Sequence, residues 1–538
     1  MTSQQLKSSK SSGKYKAVNG AEDKKAGGIF SNGDSSDMAL TTAAVTSPAG
    51  RSPILTADQA VELGGYDFTF ENIVFEGGGN KGLSATGAIR VLEELGYWSK
   101  ITRFAGASAG AMITALVCVG YNSHDIEEFL CGDIGKVFLD ARFGVLSFLP
   151  NMLLHYGCHP GEKINRWFGE KVKAKMGNAD LTFEELYSKT KRELCITVTN
   201  MNSMDCTYCH VKTTPDMPIR KAVRMSACIP GVFCPVQVTH PVNKTHDYFV
   251  DGGMLCNYPI HCFDGWYLSM EHQDSFLKKV QRLAELPKLW DPRERFGKRN
   301  DKTIGILLYS AGEKELMKDA LKERFKDRII ESERIPHPET KLANQRADKI
   351  RKLESAAKEH GELVASMSRF MQVLDECDID ESGTISVDEF NTAMHKKPSK
   401  FTDEDKARLF GEDFRDTEAL FKRLDTTEDN QISFKELLSF ADKKGLSIME
   451  HFRGYQRHDI TSLRSYFGTI METLLLNMKR IFIQAGDVDR TIGIDTGYLD
   501  TLDFNMEKPD QNYLVEQGKL GCIAYLRELI DGNSMVRK

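Results

Sequence analysis

Residues 73–82 read Ile-Val-Phe-Glu-Gly-Gly-Gly-Asn-Lys-Gly, and residues 102–110 read Thr-Arg-Phe-Ala-Gly-Ala-Ser-Ala-Gly. Each stretch is a short apolar run that ends in a glycine-rich turn, and apolar residues at helical spacing follow each turn. A strand, a crossover helix and a second strand within this length form a βαβ unit, in which the two strands are parallel. We therefore expect both turns at the same edge of a parallel sheet.

The second turn matches the G-x-S-x-G pattern, with Gly106, Ser108 and Gly110 at its fixed positions. In this pattern a sharp strand-to-helix turn exposes the serine hydroxyl, and the small flanking residues let neighbouring backbone approach. Ser108 is therefore a candidate nucleophile.

The first turn supplies backbone amides at the start of a helix, from Gly77, Gly78 and Gly79. Such a site favours negative charge, either a phosphate or the oxyanion of a tetrahedral intermediate. Lys81 could add to the positive field, and Gly82 completes the small-residue turn.

The same glycine run also resembles a nucleotide-binding fingerprint. The dinucleotide pattern expects a carboxylate at the end of the following strand, whereas this strand ends in Gly106-Ala107-Ser108. A P-loop expects a Lys-Ser or Lys-Thr pair after the glycines, and none is present. These departures argue against nucleotide binding.

A third motif ends another apolar run, where residues 248–253 read Tyr-Phe-Val-Asp-Gly-Gly. Gly252 and Gly253 would leave the Asp251 carboxylate accessible. Taken alone, an Asp-Gly pair is also common in an ordinary turn.

The three motifs in this order resemble those of patatin-like phospholipases, and the segments 226–233 and 257–260 resemble the regions that flank the aspartate in that family. The resemblance implies an α/β fold, a three-layer sandwich around a mostly parallel central sheet. It also implies a catalytic dyad in which Ser108 is the nucleophile and Asp251 the general base. Gly77, Gly78 and Gly79 would form the oxyanion hole, and the dyad would need no metal or other cofactor.

A Ser–His–Asp triad is the alternative within the hydrolases. It would require a histidine after Asp251 in the chain, as in the Ser, Asp, His order of other α/β enzymes. His261, His451 and His458 occupy such positions.

A second type of motif spans residues 378–389 and matches the loop of an EF-hand. Glycine stands at loop position 6 and isoleucine at position 8, and apolar helical stripes flank the loop. The predicted Ca²⁺ ligands are Asp378, Asp380, Ser382, Thr384 and Glu389.

A related loop spans residues 425–436 and departs from the pattern at two positions. Thr427 replaces an acidic or amide ligand, and Asn430 replaces the glycine, although Asn tolerates the left-handed conformation. The loop is therefore either a weaker Ca²⁺ site or a metal-free partner of the first hand. Its candidate ligands are Asp425, Thr427, Asp429, Gln431 and Glu436.

Composition limits the class of protein and its location. The chain has 538 residues, a formal net charge of −6 and twelve scattered cysteines. The mild acidity argues against a nucleic-acid partner, and the cysteine pattern is typical of reduced thiols in a cytoplasmic protein. We expect no transmembrane segment but allow peripheral contact with membranes. The apolar stretch 143–154 is either a buried core segment or a lip around the active site that enters the lipid interface.

The order of motifs predicts an all-α calcium module inserted within the hydrolase domain, because the sequence after the EF-hands again resembles the patatin-like pattern. The predicted segments are a disordered tail at 1–60, hydrolase at 67–312, a charged helical connector at 313–359, the EF-hand pair at 360–445 and hydrolase again at 455–535.

Together these features predict a lipid acyl hydrolase of the phospholipase A or lysophospholipase type. It would cleave a fatty-acyl ester of a phospholipid or other lipid, at a membrane or droplet surface, through an acyl-Ser108 intermediate. Calcium at the EF-hands would modulate it. The alternatives are a triacylglycerol lipase and a weakly catalytic, calcium-sensing lipid-binding scaffold.

Overall fold

The computed structural model describes most of the chain from residue 52 onward. The described residues are 52–132, 140, 148–239, 244–311, 316–377, 382–395, 401–411, 414–444, 460, 462–501, 503, 505–532 and 536–537. The predicted tail up to residue 51, residues 143–147 of the apolar stretch, Asp378, Asp380, His451 and His458 lie outside them. No helix in the described ranges combines the length and the apolar character needed to cross a bilayer.

Fourteen strands are present in the described residues. They are β1 (Tyr66–Asp67), β2 (Asn72–Phe75), β3 (Arg103–Gly106), β4 (Gly157–His159), β5 (Glu193–Asn200), β6 (Asp205–Cys209), β7 (Gly231–Phe233), β8 (Val236–Thr239), β9 (His246–Asp251), β10 (Thr303–Tyr309), β11 (Thr384–Ser386), β12 (Gln431–Ser433), β13 (Thr491–Asp495) and β14 (Val536–Arg537).

The α-helices are numbered in the same way, as far as the chain is described. They are α1 (Ala57–Gly64), α2 (Ser84–Glu94), α3 (Ser108–Cys118), α4 (Ser123–Cys131), α5 (Phe148–His155), α6 (Glu162–Met176), α7 (Phe183–Thr190), α8 (Ile219–Ser226), α9 (Gly253–Cys256), α10 (Phe276–Lys279), α11 (Pro292–Phe296), α12 (Lys318–Arg328), α13 (Lys341–Asp375), α14 (Val387–His395), α15 (Asp403–Phe410), α16 (Thr417–Leu424), α17 (Phe434–Lys443), α18 (Leu463–Phe482) and α19 (Lys508–Asp531). A 3₁₀ turn at Gly79–Leu83 precedes α2.

The central sheet is mixed but mostly parallel. Its strand order is β13-β10-β2-β3-β5-β9-β8, with β6 paired to β5 outside this path. The five strands from β13 to β5 run parallel to one another, whereas β6, β8 and β9 are joined by antiparallel pairing. In the β2–β3 register, Phe75 lies opposite Gly106. This register brings the two glycine-rich turns to the same edge, as the βαβ pattern predicts.

Both faces of the sheet are covered, because alternate residues of its strands belong to two separate apolar clusters. Ile73, Phe75 and Phe104 pack with the helices of one face. Val74, Ala105 and the residues around Ile260 pack on the other. The predicted α/β fold, with a mostly parallel sheet between layers of helices, is confirmed.

The C-terminal helix α19 packs against α2 with almost no space between the two backbones. A Cβ added at Gly87 would lie 1.9 Å from the Val515 carbonyl oxygen, and one added at Gly518 would lie 1.8 Å from the Ser84 carbonyl oxygen. Glycine at both positions therefore allows the last helix to cover the helix that follows the first glycine turn.

The EF-hand motifs form a module with its own core, built from Phe370, Phe390, Phe421 and other apolar residues of its helices. Strands β11 and β12 join the two loops, with Ile385 opposite Ile432. Asn430 has φ +61°, the left-handed conformation that glycine usually takes at this position of the loop. The second loop therefore forms the expected turn without glycine.

Helix α13 runs without interruption from the part of the chain that packs around the central sheet into this module. Near its start, Arg346 forms a two-pronged ion pair with Asp503, at 2.5 and 2.8 Å. Near its end, Met367 and Phe370 belong to the EF-hand core. The predicted boundary between connector and EF-hand pair, at residues 359 and 360, therefore falls inside one helix.

A tight backbone contact between α3 and β2 predicts the effect of a small substitution. A Cβ at Gly110 would lie 2.5 Å from the Phe75 carbonyl oxygen, so Gly110→Ala must separate α3 from β2. We expect a destabilisation of about 1–3 kcal/mol, as for overpacking elsewhere, visible as a lower melting temperature. Gly64→Ala is the matched control, because nothing lies within 4 Å of its added Cβ. Equal melting temperatures for both variants would contradict this packing.

Candidate active site

Ser108 lies at the turn between β3 and α3 and has φ +51°, which is unusual for a residue other than glycine. Its amide donates to the Ser226 hydroxyl at 2.9 Å, and Ser226 in turn donates to the Thr197 carbonyl at 2.8 Å. These bonds hold the strained turn in place. The Ser108 hydroxyl donates to the Asp251 carboxylate, with an Oγ–Oδ2 distance of 2.8 Å.

Asp251 ends β9 and is only 4% exposed. Its amide donates to the Cys228 carbonyl at 2.9 Å, and its carbonyl accepts from the Thr199 hydroxyl at 2.9 Å. Its second carboxylate oxygen accepts the Gly253 amide at 2.7 Å. The Asp-Gly-Gly motif is therefore more than a surface turn, since its backbone directs one oxygen to Ser108 and satisfies the other.

Burial raises the pKa of Asp251 to about 7, against the opposing effect of hydrogen bonds from Gly253 and Ser108. Desolvation disfavours the charged carboxylate, whereas donors favour it, and here desolvation is the larger effect. An ordinary aspartate has a pKa near 3.9 and is a weak base toward a hydroxyl. A carboxylate with a pKa near neutrality is better matched to proton transfer.

The glycine turn after β2 lies against this serine. A Cβ added at Gly77 would lie 2.8 Å from the Ser108 Cβ. The Gly77 amide, however, donates to the Asn257 carbonyl at 3.1 Å, so this predicted oxyanion donor is already used within the protein. In the described part of the chain, the Gly78 and Gly79 amides have no acceptor. Gly79 has φ +55°, and a Cβ there would lie 2.2 Å from the Thr501 carbonyl oxygen.

Ala109 is a further candidate donor that the sequence patterns did not single out. It occupies the second position of α3, where a backbone amide has no acceptor within the helix. In nucleophile-elbow hydrolases the residue after the nucleophile supplies one oxyanion-hole amide. Lys81, by contrast, is buried in the 3₁₀ turn, and its amide donates to the Gly78 carbonyl at 3.1 Å.

Asn257 holds the glycine turn at two points. Its carbonyl accepts the Gly77 amide at 3.1 Å, and its side-chain amide donates to the Gly77 carbonyl at 2.9 Å. The same side chain donates to buried Glu76 at 3.1 Å, and Glu76 also accepts the Leu308 amide at 2.8 Å. Lys479 of α18 forms an ion pair with Glu76. A cation from the helix that follows the EF-hands therefore reaches the residue beside the turn.

His261 does not support a Ser–His–Asp triad. Its Nε2 lies 2.7 Å from the Tyr208 hydroxyl, and its ring stacks on Phe482 with centroids 4.5 Å apart. Burial, with nearby Arg490 and Arg295, lowers its pKa to about 3. The ring is thus neutral and packed in a core, so it cannot relay a proton for Ser108.

The second EF-hand loop gathers oxygen atoms of the kind that Ca²⁺ binds. Thr427 Oγ1 lies 3.1 Å from Glu436 Oε1 and 3.5 Å from Asp425 Oδ1. Burial opposes ionisation of Glu436, but hydrogen bonds from Ser433, Thr427 and Thr426 outweigh it and lower its pKa to about 2. The carboxylate is therefore charged at neutral pH, as a metal ligand must be.

The first loop presents similar chemistry where it is described. Ser382 Oγ lies 3.2 Å from Thr384 Oγ1, and Glu389 accepts the Ser386 amide at 2.9 Å. Among the described residues, no group of three or more Asp, Glu, His or Cys side chains is placed to hold a metal ion by itself. Hydroxyl, backbone and water oxygens would have to complete a coordination shell in the second loop, which fits the weaker affinity expected for it.

Comparisons with known proteins agree with these motifs. Residues 73–264 match the family described as patatin-like phospholipase, and residues 370–395 and 417–441 match the EF hand. "Uncharacterized protein YqhO" of Bacillus subtilis is 35% identical over 200 residues, which are 35% of this chain and 65% of that protein. "Probable lipid hydrolase 463L" of Invertebrate iridescent virus 6 is 26% identical over 199 residues, 36% of this chain and 62% of that protein.

Both matches cover slightly less than two thirds of the relative's length. Among solved structures, VipD from Legionella pneumophila is similar with a TM-score of 0.38 and 16% identity, over 86% of this chain and 68% of that one.

The raised pKa of Asp251 predicts a stability effect of neutralising it. A carboxyl whose folded pKa exceeds its unfolded value contributes stability that is fully present below pH about 3.8 and is lost as the pH rises through about 7. At pH 8.5 the ionised carboxylate therefore costs stability, and Asp251→Asn should remove this cost. We expect the free energy of unfolding of Asp251→Asn at pH 8.5 to exceed that of wild type by on the order of 2–4 kcal/mol, which raises the melting temperature by several degrees. At pH 5.5 the difference in melting temperature should be smaller.

Ser108→Ala is the control, because it keeps the buried carboxylate and should not gain stability at pH 8.5. A melting temperature for Asp251→Asn below wild type at both pH values would contradict the account of Asp251 as a desolvated base.

Proposed function

We propose that this chain, which carries a patatin-like phospholipase domain at residues 73–264 and two EF-hand motifs, is a lipid acyl hydrolase that uses Ser108 and Asp251 as a dyad. The observation that carries the proposal is the 2.8 Å hydrogen bond from the Ser108 hydroxyl to a buried carboxylate. The substrate would be the fatty-acyl ester of a phospholipid or related lipid.

In the acylation step, Asp251 accepts the hydroxyl proton while Ser108 Oγ attacks the carbonyl carbon of the ester. The negative charge that forms on the carbonyl oxygen would be stabilised by the amides of Gly78, Gly79 and Ala109. Collapse of this intermediate breaks the bond to the alcohol, which leaves with the proton from Asp251. The products are a lysolipid or other alcohol and an acyl-Ser108 ester.

Deacylation repeats the same proton transfers with water. Asp251 takes a proton from the water as its oxygen attacks the acyl carbon, and the tetrahedral intermediate again places its charge toward the free amides. Collapse releases the fatty acid and returns the proton to Ser108. Each turnover thus consumes one ester and one water, and it needs no metal at the dyad.

A serine-reactive fluorophosphonate probe tests the dyad directly. We expect labelling of wild type whose rate rises with pH and levels off above pH about 7, because Asp251 must be ionised to accept the proton. Ser108→Ala should abolish labelling and reduce fatty-acid release from phosphatidylcholine vesicles by at least a thousandfold. Ser203→Ala is the control, since Ser203 is an exposed serine in the turn after β5.

Fatty-acid release that persists in Ser108→Ala would show that Ser108 is not the nucleophile. Labelling without release from phosphatidylcholine, but with release from a triolein emulsion, would favour the triacylglycerol lipase. No labelling of wild type would favour the lipid-binding scaffold.

Calcium modulation is the second part of the proposal, and it rests on how the EF-hand module connects to the hydrolase. The chain enters the module through α13 and leaves it toward α18. Lys479 of α18 pairs with Glu76, and Glu76 is bonded to the Asn257 side chain that holds Gly77. Calcium binding opens the helix pairs of sensor EF-hands, so it would shift α18 and, through these contacts, the glycine turn.

Removing the Lys479 ammonium should therefore uncouple turnover from calcium. For Lys479→Met we expect a lower kcat on a soluble ester, little change in KM, and a ratio of rates with and without Ca²⁺ close to one. Arg480→Met, on the next residue of the same helix, is the matched control and should keep the wild-type ratio. The proposal would be wrong if Lys479→Met kept the full calcium response, or if wild type gave the same rate in chelator and in Ca²⁺.

A further inference from the structure

The edge of the sheet that carries Ser108 also carries exposed apolar side chains. Leu153 and Leu154, at the end of α5, are 70% and 71% exposed, and Met204, in the turn after β5, is 85% exposed. Because β5 runs parallel to β3, this turn lies at the same edge as the elbow that holds Ser108. Part of the apolar stretch predicted as core or lip is thus at the surface.

Contacts of Met201, Tyr248 and Tyr156 link the turn after β5 to the end of α5. The Met201 amide donates to the Tyr248 carbonyl at 2.9 Å, and the Tyr248 ring contacts the Tyr156 ring with centroids 5.9 Å apart. Tyr156 directly follows α5, and Tyr248 lies three residues before Asp251 in β9. We call Leu153, Leu154, Tyr156 and Met204 the apolar rim.

A cavity of about 730 Å³ opens beside this rim. Leu154, Tyr156 and Tyr248 form part of its wall, and Arg220, Lys221 and Arg224 of α8 form another part. Helix α8 ends at Ser226, the residue that accepts the Ser108 amide. Helix α8 therefore forms part of the cavity wall and, at its end, supports the turn that holds Ser108.

The cations of this cavity outnumber the charges that balance them. Asp180 pairs with Arg220 at 2.7 Å, and Glu162 is the other carboxylate in the wall. Arg224 is only 4% exposed and has no carboxylate within 4 Å in the described residues. Its Nη2 donates to two carbonyl groups, but Nε and Nη1 have no hydrogen-bond partner there. Asp140 lies nearby, since it accepts the amide of Gly161, which is packed against the Arg224 guanidinium, but it forms no ion pair with Arg224. An anionic ligand in the cavity would give this buried cation a direct partner and lower the cost of burying it.

From this arrangement we infer that the apolar rim and the cation-lined cavity form a docking surface for an anionic phospholipid bilayer. The rim side chains enter the interface, and a lipid phosphate occupies the cavity beside Lys221 and Arg224. This inference rests on the proposed function, because docking at this edge serves to present lipid ester groups to Ser108. Exposed leucine and tyrosine next to basic groups are the pattern of interfacial binding.

A second basic surface with exposed apolar side chains could also contact a bilayer, so the experiment has to distinguish the two surfaces. Residues 276–302 contain nine Lys or Arg and four Asp or Glu, with Leu283 and Trp290 strongly exposed. This segment leads into the amino-terminal end of β10, where the Lys302 carbonyl accepts the amides of Glu71 and Asn72. Docking through it would point the Ser108 edge away from the bilayer.

The experiment measures co-sedimentation of the full chain, as Ser108→Ala, with vesicles of phosphatidylcholine alone or with 30% phosphatidylserine. In this background no product accumulates, so binding is separated from catalysis. We expect at least tenfold weaker partitioning for Leu153→Glu with Leu154→Glu, and no change for Leu283→Glu with Trp290→Glu. Lys221→Gln should weaken binding to the anionic vesicles about fivefold and leave binding to neutral vesicles unchanged. Thermal melting verifies that each variant folds.

Loss of binding in the Leu283 and Trp290 pair, with the rim pair unaffected, would overturn the inference in favour of the rival surface. Equal binding to both vesicle types, or no effect of Lys221→Gln, would remove the cavity from the proposal. If binding depends on the rim but wild type releases no fatty acid, the docking surface stands and the proposed hydrolase activity fails. If wild type releases fatty acid but the rim variants bind vesicles normally, the hydrolase activity stands and the docking surface fails.

Discussion

The contact between the glycine turn after β2 and the elbow after β3 constrains the rest of this edge of the sheet. The register sets Phe75 opposite Gly106, so the two turns leave the sheet side by side. A Cβ at Gly77 would meet Ser108, and one at Gly110 would meet the Phe75 carbonyl. Since both turns are ends of parallel strands, the sheet itself holds the Ser108 hydroxyl beside the amides of Gly78 and Gly79.

Burying the Asp251 carboxylate lowers the stability of the folded protein. The burial that raises its pKa to about 7 is the same burial that makes its ionised form costly at neutral pH. Backbone bonds to Cys228 and Thr199 keep the residue in place despite that cost. The fold therefore holds a carboxylate where it is a better base than aspartate in water, and the surrounding structure must supply the compensating stability.

The sequence predicts those parts of the molecule that a few consecutive residues encode. The two glycine turns, the Asp-Gly-Gly motif and the EF-hand loops each consist of a few adjacent residues that set the local backbone, so the sequence locates them, although only the family resemblance implies a role for Asp251. The use of the Gly77 amide by Asn257 could not be predicted in this way, because Asn257 lies 180 positions away. The continuity of α13 was hidden for a related reason: its highly charged middle resembles a connector, while distant contacts of Arg346 and Met367 fix its two ends.

The place of the EF-hands in the topology gives the calcium proposal its physical basis. Strands β10 and β13 are parallel neighbours, and parallel neighbours need a crossover connection. Here that crossover contains the EF-hand motifs. On its other side β10 pairs with β2, the strand that leads into Glu76 and the glycine turn. Under the proposed calcium control, a change in the separation of α13 and α18 would reach β10, the strand that pairs with β2, and would reach Glu76 through Lys479, so the EF-hands need not contact the site to influence it.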